Sequence, residues 1–558
     1  MAGHPSTPVP AVLVPLYYRD NFDALCRAVV ARYGDLLNRA EHSLLERWQG
    51  LQMPAQCLYV RLVSRVGPWF RERKLVYPEI SDIPAALAEL EMAGLVQRPQ
   101  GLDVAALAPL FTVAEWRSAF TGVLEGGFSN KGAWLAAATA LDWSGEEYLH
   151  CLLAATDDSL VAPLGVEVVS LLQLLFFGNR RQGMTDFVLS DLGIACYYPY
   201  SLDREQRLFS CREAVTEYQL WGELADHYWF LRDAGDQEGL EALAQQLLAA
   251  SPRFETSVHR HWKLCNRLGR DLERVGALAL AASLYSRSQL HPARERRARV
   301  LETGGDWKVA HAQCLDILEQ PWCEEEQEAA LRILPRLCRR LAQPAPASRR
   351  DHFELLDLQL PRSGNSVELA VAQHLAGTWA EVHYVENTLL NSLFGLAFWE
   401  QIFAAVPGAF HNAFQSVPAD MYQQGFYHRR SHLLTARLEL LARTDLAGEL
   451  VSAYRRYQGY QCRWVNWHLL SETLLAQALA CLPRSHLLAI WERMLFDPGE
   501  NRRGFPDLLA LGSKPGDYCL IEVKGPGDQL QHSQRRWLRF FAAQGIPAQV
   551  ARVSWCDD

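Results

Sequence analysis

The chain has 558 residues, of which 49% are hydrophobic and 21% are charged, and its formal net charge at pH 7 is −9. This length exceeds what one hydrophobic core supports, so three or four domains are expected, and no apolar run is long enough for a membrane span. The 13 cysteines are dispersed without a C-x-x-C pair, which is typical of reduced intracellular thiols and predicts a cytoplasmic protein.

Two runs of basic residues interrupt the acidic average. The first, RLVSRVGPWFRERK, supplies Arg61, Arg65, Arg71, Arg73 and Lys74. The second, ARERRAR, supplies Arg294, Arg296, Arg297 and Arg299. Such patches can hold phosphates even in a chain of negative net charge, although a charge run is also typical of a solvated helix face. We predict that the first run contacts nucleic acid.

Residues 211–345 have the pattern of amphipathic helix almost throughout. Paired helices with small and aromatic residues at their crossings, as in DWKVAHAQCLDILEQP (306–321), predict tetratricopeptide-like hairpins. Because no strict repeat period is visible, a generic helical bundle is the alternative. Pro344, Pro346 and Ser348 predict a linker into a C-terminal domain.

An acidic residue in the segment HYVEN is a candidate metal ligand. Glu386 begins a run whose apolar residues recur at helical spacing: Leu389, Leu390, Leu393 and Ala397. Its carboxylate should therefore point along a buried stripe, where it needs a partner. The alternative is a first-turn glutamate favoured by the helix dipole. Glu368, at the start of SVELAVAQHL, is the competing candidate, and we prefer Glu386.

The segment GFPDLLALGSKPGDYCLIEVKG (504–525) predicts a pair of antiparallel strands. Its turn residues, between two apolar runs, are Gly512, Pro515 and Gly516. With the turn centred between residues 514 and 515, Asp507 lies opposite Glu522. Because side chains alternate along a strand, Lys524 shares the face of Glu522, roughly 7 Å away. The three side chains are predicted to form one site.

This trio suits phosphodiester hydrolysis. Two carboxylates at one site repel each other unless a cation neutralises them, and their oxygens suit Mg²⁺ or Mn²⁺, whereas zinc favours His or Cys. Lys524 could orient or deprotonate an attacking water, or stabilise charge on a phosphate. With 6 lysines against 49 arginines in the chain, composition does not favour a lysine here. The pattern is that of the PD-(D/E)xK phosphodiesterases, and the alternative is a surface hairpin.

A helix and a last strand are predicted after this hairpin. The apolar stripe of the helix contains Leu530, Gln534, Trp537 and Phe541. Gly545 predicts the helix end, and a strand follows over residues 548–553. Gln534 should face the sheet. Arg535, Arg536 and Arg539 flank the stripe, where they either contact phosphates or form a solvated face; we retain Gln534 and Arg535 as candidate DNA contacts.

These segments resemble a known nuclease family. GFPDLL and LIEVKGPGDQLQHSQRRWL are similar to the VRR-NUC module, and residues 383–403 and 410–422 extend the similarity to the Fanconi-associated nucleases. The resemblance implies that Glu386 is the third metal carboxylate beside Asp507 and Glu522. It also implies that the backbone carbonyl of Val523 is a ligand and that the cofactor is Mg²⁺ or Mn²⁺.

The resemblance implies a multidomain, mainly α chain with a C-terminal α/β domain of the restriction-endonuclease-like PD-(D/E)xK fold. Residues 60–100 resemble a winged-helix unit, and residues 107–141 lie where the family has a SAP-type DNA-binding module. We therefore predict a helical and winged-helix-like region (1–100), a SAP-like region (101–210), a tetratricopeptide-like region (211–345) and a nuclease domain (362–558). No cysteine pattern matches the ubiquitin-binding zinc finger of eukaryotic members, so the chain resembles a bacterial form.

The substrate is implied by the resemblance alone. It would be branched double-stranded DNA with a 5′ flap, cut near the junction by a monomeric, structure-selective enzyme with 5′ to 3′ exonuclease action. The role would be DNA repair, including interstrand crosslink repair, in a bacterial cytoplasm in association with the nucleoid. Two alternatives stay open: a PD-(D/E)xK junction resolvase that acts as a dimer, and a non-enzymatic helical adaptor with a decayed nuclease module.

Overall fold

The computed structural model describes residues 16–124, 130–179, 182, 195–345, 351–362, 364 and 366–556. Its backbone divides into two compact units, Met1–Ala195 and Cys196–Asp558. The division falls inside the predicted SAP-like region, 101–210, so that region does not coincide with one unit. Part of the segment proposed for the SAP-type module, residues 125–129, lies outside the described residues, as do Pro346 and Ser348 of the predicted linker.

Helices form most of the first unit. Their bounds are Tyr17–Tyr33, Arg39–Gln49, Met53–Val63, Ile83–Met92, Val104–Leu107, Val113–Ala119, Lys131–Thr139, Gly145–Thr156 and Val166–Phe177. Three of them begin at a capping box in which a polar N-cap side chain and a glutamate satisfy each other's backbone N–H groups. The N-caps are Asn38, Thr112 and Ser144.

A small antiparallel sheet completes the first unit. Its strands are β1 (Phe70–Arg71), β2 (Val96–Gln97) and β3 (Leu160–Pro163), in the order β1–β3–β2. The central strand β3 lies far beyond residues 60–100 in sequence. The predicted winged-helix segment therefore does not close its own sheet, because its two edge strands pair with a strand from the following region.

The central region of the second unit is a series of helices. Their bounds are Arg212–Ala234, Gln237–Ala249, Glu255–Arg274, Leu278–Ser286, Ala293–Gly304, Trp307–Glu319 and Glu324–Arg340. Each packs against its neighbour in the chain. At one crossing the Tyr285 ring lies against Gly269, where an added Cβ would come within 3.0 Å of it. At this crossing a small and an aromatic residue meet, as the sequence predicts.

The C-terminal part of the second unit surrounds a mixed sheet. The strands of this unit are β4 (Cys196–Tyr197), β5 (Glu354–Pro361), β6 (Glu381–Tyr384), β7 (Tyr460–Gln461), β8 (Leu508–Leu511), β9 (Tyr518–Lys524) and β10 (Ala548–Cys556). Five of them form one sheet in the order β5–β10–β9–β8–β6. Because β5 pairs in parallel with β10, the sheet includes Glu354, ahead of the predicted domain start at residue 362.

Helices cover this sheet and extend from it. Their bounds are Val367–Leu375, Leu389–Ala397, Trp399–Ile402, Gly425–Arg443, Leu446–Tyr457, Glu472–Cys481, Arg484–Phe496 and His532–Gln544. No single helix in the described ranges is long and apolar enough to cross a membrane. The pair Glu472–Cys481 and Arg484–Phe496, bent by 108°, passes that test only when its two helices are taken together.

Strand β9 separates two apolar layers, as the alternation of its side chains predicts. Leu520 belongs to a core that contains Trp537 and Phe541 of the last helix. Ile521 belongs to a second core that contains Val371 of the helix Val367–Leu375. The last helix ends at Gly545, whose φ of +68° favours glycine, which confirms the predicted stop. Glu522 therefore faces the layer of the last helix.

Candidate active site

The register between β8 and β9 brings two carboxylates together. Leu508 pairs with Ile521, so the next pair outward is Asp507 and Glu522, as the hairpin predicts. Both side chains are buried, with 7% and 1% exposure. Asp507 Oδ2 accepts a hydrogen bond from the Val523 N–H at 2.8 Å. Pairing and this hydrogen bond together fix the Asp507 side chain beside the backbone of β9.

The two oxygens of Glu522 have different surroundings. Oε1 accepts hydrogen bonds from Lys524 Nζ at 2.8 Å and from Gln534 Nε2 at 2.6 Å. Oε2 is buried and has no hydrogen-bond partner among the described residues. A buried carboxylate oxygen without a partner is costly in free energy. The donors on one side of the carboxylate thus leave its other oxygen available to a further ligand.

Burial and like charge make both acids weak. Burial raises the pKa of Asp507 to about 6, and the charges of Glu386 and Glu368 add to the rise. Burial, followed by the charge of Asp507, raises the pKa of Glu522 to about 8, although Lys524 opposes the shift. Raised pKa values from desolvation and a like-charged neighbour are typical of functional sites, and they fit a pair of carboxylates that binds a cation.

The position of Glu386 differs from the prediction. It lies in a turn before the helix Leu389–Ala397, not on the helix, and its side chain is exposed rather than buried. Its carboxylate accepts a hydrogen bond from the hydroxyl of Tyr384. The helix begins three residues later because Asn387, with φ of +47°, interrupts the run. Tyr384 is thus a neighbour of the site that no sequence pattern indicated, although the segment HYVEN contains it.

The carboxylates near Asp507 do not form a complete ligand set. Among the described residues, no three His, Cys, Asp or Glu side chains are grouped so that they could hold an ion. The charges of Glu386 and Glu368 nevertheless act on Asp507. The unpartnered Glu522 Oε2 and the all-oxygen donor set fit a hard cation such as Mg²⁺ or Mn²⁺. The assignment of Glu386, Asp507, Glu522 and Val523 as ligands stays a prediction.

The arginines of the last helix are in three different environments. The Arg535 Nε is buried and has no hydrogen-bond partner among the described residues, which leaves Arg535 as a predicted DNA contact. Arg536 is buried among carboxylates and is not a solvated or phosphate-facing residue. Arg539 forms ion pairs with Asp351 and Glu328. Gln534 donates a hydrogen bond to Glu522 of the acidic site, and its contact with DNA stays a prediction.

The first basic run does not form one uniform patch. Arg61 pairs with Glu79 at 2.6 Å and stacks on Tyr18, whereas Arg65 and Lys74 are exposed. Arg73 is exposed and pairs with Asp157. Arg71 is the exception and corrects the prediction, because its buried guanidinium holds two carboxylates and offers no free face to a phosphate. DNA contacts by the other four stay a prediction.

Arg71 is expected to stabilise the first unit. Its side chain pairs with Asp158, which is fully buried, at 2.8 Å, and with Glu115 at 2.6 Å. In Arg71→Met the buried carboxylate of Asp158 loses its charged partner and keeps only backbone donors, which we expect to cost about 3 kcal/mol. The measurement is the urea midpoint of the full chain, followed by tryptophan fluorescence. Arg73→Met removes an exposed pair and should change the midpoint little; equal shifts in both variants would contradict the assignment.

The second basic run is occupied by internal partners. Arg294 pairs with Glu326 and Asp316, and Arg296 pairs with Glu273. The other two arginines contact Gln313 and Glu295. Arg294, Arg296 and Arg297 thereby join different helices of the central region, whereas Arg299 pairs with Glu295 on its own helix. The run is therefore engaged in internal contacts and does not form a free basic patch.

Two protein-family models match the chain. The VRR-NUC domain matches residues 443–555, which include the β8–β9 hairpin and the last helix. The HTH domain of FAN1 matches residues 16–97, so the similarity begins well before the winged-helix segment proposed from sequence. The two matches lie at opposite ends of the chain.

Similar proteins match over nearly the full length. A Fanconi-associated nuclease 1 homolog of Pseudomonas aeruginosa is 36% identical over 98% of both chains. A homolog of Arabidopsis thaliana is 26% identical over 96% of this chain and 67% of its own length. A crystal structure of paFAN1 bound to 2-nucleotide 5′-flap DNA with a gap has a TM-score of 0.84 and 36% identity, covering 98% of this chain and 100% of that one. This chain therefore belongs to the Fanconi-associated nuclease family.

Proposed function

We propose that the chain is a metal-dependent DNA endonuclease that cuts branched DNA at a 5′ flap and also degrades DNA in the 5′ to 3′ direction. Interstrand crosslink repair is the role we propose for this activity, with the enzyme acting as a monomer. The observation that carries the proposal is the buried Asp507–Glu522 pair beside Lys524, with one unpartnered carboxylate oxygen. The choice of a flap substrate is supported by the similar chain crystallised with 5′-flap DNA.

Four groups would hold the cation: the carboxylates of Asp507, Glu522 and Glu386, and the carbonyl of Val523. When bound, Mg²⁺ or Mn²⁺ would supply a Lewis acid and lower the pKa of a water molecule. The Val523 N–H keeps Asp507 in place through a hydrogen bond of 2.8 Å. Because this N–H belongs to the backbone of β9, the sheet positions the Asp507 carboxylate without a bound ligand.

Lys524 has two roles in this proposal. In the structure its ammonium holds Glu522 Oε1 at 2.8 Å, which orients that carboxylate. During hydrolysis the same ammonium is close enough to the acidic pair to stabilise the charge that develops on the phosphate oxygens. Its side chain is 15% exposed, so it reaches the surface where a DNA backbone would lie. The exposed Arg65 and Lys74 would add contacts to duplex phosphates without reading sequence.

The proposal is tested by cleavage of matched DNA substrates. End-labelled 5′-flap, 3′-flap and four-way junction DNAs of equal length are incubated with the full chain and Mn²⁺. We expect the 5′-flap DNA to be cut near its junction at least about tenfold faster than the others, and the products to shorten from the 5′ end. Equal cutting of all three substrates would contradict the flap preference.

The same assay separates the two alternatives. A dimeric resolvase would cut the four-way junction in paired, symmetric positions, and the complex on that DNA would have the mass of two chains. A non-enzymatic adaptor would bind DNA without cutting it under any cation. Size-exclusion chromatography with light scattering on the flap complex should give one chain per DNA molecule if the proposal holds.

A further inference from the structure

The last helix, His532–Gln544, touches the acidic site on one side. Gln534 donates to Glu522 Oε1 at 2.6 Å, the same oxygen that Lys524 contacts. Gly504 lies against the start of this helix, where an added Cβ would be 2.6 Å from the carbonyl carbon of Ser533. The helix thus packs directly on the loop that leads to Asp507. A shift of this helix would move the donor that orients Glu522.

On its other side, the same helix forms ion pairs with the central helical region. Arg536, with a side chain 6% exposed, lies within 3.9 Å of carboxylates of Glu324, Glu325 and Glu328, all from the helix Glu324–Arg340, and of Glu500. Only one residue separates Arg536 from Gln534 along the chain. One helix of 13 residues therefore joins the active-site carboxylate to a cluster of carboxylates around the buried Arg536, most of them from the central region.

Arg493 also links the last helix to the helix Glu324–Arg340. Its guanidinium binds both oxygens of Glu324, at 2.5 and 2.7 Å, and donates to the Arg536 carbonyl at 2.9 Å. It also stacks on Trp537, 4.3 Å from the ring centroid. Glu324 is thus the shared partner of two buried arginines, one of which holds the backbone of the last helix. Loss of one member of a buried ion-pair network leaves uncompensated charge and displaces the groups around it.

We propose that Glu324 is a positioning residue for DNA cleavage, although it lies in the central helical region. Through Arg493 and Arg536 it holds the last helix at the place where Gln534 orients Glu522, leaving Oε2 for the cation. The central helical region then supports the geometry of the nuclease centre. This inference rests on the proposed cleavage of flap DNA at Asp507 and Glu522.

The test compares full-length Glu324→Gln and Gln534→Ala with a matched control. Glu302→Gln is the control, because Glu302 makes a bidentate pair with Arg336 in the central region, at 2.7 and 2.8 Å, that includes no nuclease residue. For each protein we measure kcat, KM, the Kd for 5′-flap DNA and the Mn²⁺ concentration that gives half-maximal rate. Circular dichroism and the melting temperature identify any variant that does not fold.

We expect Glu324→Gln to lower kcat about tenfold and to raise the half-saturating Mn²⁺ concentration, while KM and Kd for DNA change less than about twofold. Gln534→Ala should have a similar or larger effect, and the double variant should be no worse than Gln534→Ala, because both act on Glu522. Glu302→Gln should match the wild type. If Glu324→Gln does not fold, Glu328→Gln replaces it in the test. Of the two buried arginines, Glu328 pairs only with Arg536, so this variant should give the same pattern more weakly.

Three results would overturn the inference. The first is an unchanged kcat in Glu324→Gln and Glu328→Gln. The second is a change confined to KM or DNA affinity in these variants. The third is a double variant, Glu324→Gln/Gln534→Ala, whose loss of kcat is the product of the two single losses. Each of them leaves wild-type cleavage intact. A wild-type chain that does not cut flap DNA instead contradicts the proposed function, so the two failures are distinguishable.

Discussion

Asp507→Asn is expected to lower the rate of 5′-flap cleavage by at least about 10³-fold, because the substitution removes a charge that the cation requires while it keeps the shape of the side chain. The asparagine amide oxygen can still accept the hydrogen bond from the Val523 N–H. We therefore expect β8 and β9 to keep their register. Flap DNA should bind with nearly wild-type affinity, since phosphate contacts depend on basic residues elsewhere. The measurement is single-turnover cleavage with saturating enzyme and Mn²⁺.

The same substitution should stabilise the cation-free protein near neutral pH. Burial raises the pKa of Asp507 to about 6, so at higher pH the folded state holds a charge that the unfolded chain carries more easily. Removal of this charge should raise the free energy of unfolding by about 1 to 3 kcal/mol. A variant that is more stable and yet inactive cannot owe its inactivity to misfolding.

Asp517→Asn is the matched control for Asp507→Asn. Asp517 is an exposed carboxylate in the turn of the same hairpin, between β8 and β9. Its substitution should leave both cleavage and stability close to those of the wild type. Retention of cleavage by Asp507→Asn would remove this residue from the active site. Equal losses in the two variants would mean that the hairpin fold, and not the carboxylate, is what the assay detects.

The acidic hairpin could be predicted because its determinants are local. Turn residues and the two-residue period of a strand set the register that places Asp507 opposite Glu522. The apolar stripe of the last helix similarly predicts that Gln534 faces the sheet, and Gly545 predicts its end. In each of these cases the deciding pattern lies within one continuous segment, residues 504–545. The family resemblance added the nuclease fold, which no local pattern provides.

Features that depend on distant partners could not be predicted. Nothing near Arg71 in sequence shows that Asp158 and Glu115 will surround it, so a basic run looked like one surface. The environment of Arg536 could not be predicted for the same reason, because carboxylate partners such as Glu324 are distant from it in sequence. Strand β5 belongs to the nuclease sheet only through its parallel pairing with β10, which is far away along the chain. Glu386 was predicted on a helix because the apolar residues after it recur at helical spacing. The helix with that apolar stripe begins at Leu389, after a turn that contains Glu386.

Removal of divalent cations should abolish cleavage, and the binding of Mg²⁺ should become tighter as pH rises. The cation needs both carboxylates deprotonated, whereas the cation-free site favours protons, with pKa values raised to about 6 for Asp507 and about 8 for Glu522 by burial and mutual repulsion. The two acids titrate as a coupled pair. Proton competition should therefore weaken Mg²⁺ binding and cleavage below about pH 8, most of all below about pH 6.

The sign of the effect on stability follows from the same shifts. Both pKa values are higher in the folded state than in the unfolded chain, so the folded state holds protons that the unfolded chain has released. The contribution of these groups to stability is largest at acidic pH and falls as pH rises towards about 8. Bound Mg²⁺ should reverse this loss, since a ligand at about 100 times its Kd adds about 2.7 kcal/mol.

Differential scanning fluorimetry with and without Mg²⁺, at about pH 6 and about pH 8.5, measures this linkage. We expect the rise in melting temperature caused by Mg²⁺ to be clearly larger at the higher pH. The double variant Asp507→Asn/Glu522→Gln lacks both titrating groups and should show no such increment at either pH. An increment that is the same at both pH values in the wild type would mean that Mg²⁺ binds elsewhere, because only a site that exchanges protons for the cation couples its affinity to pH in this direction.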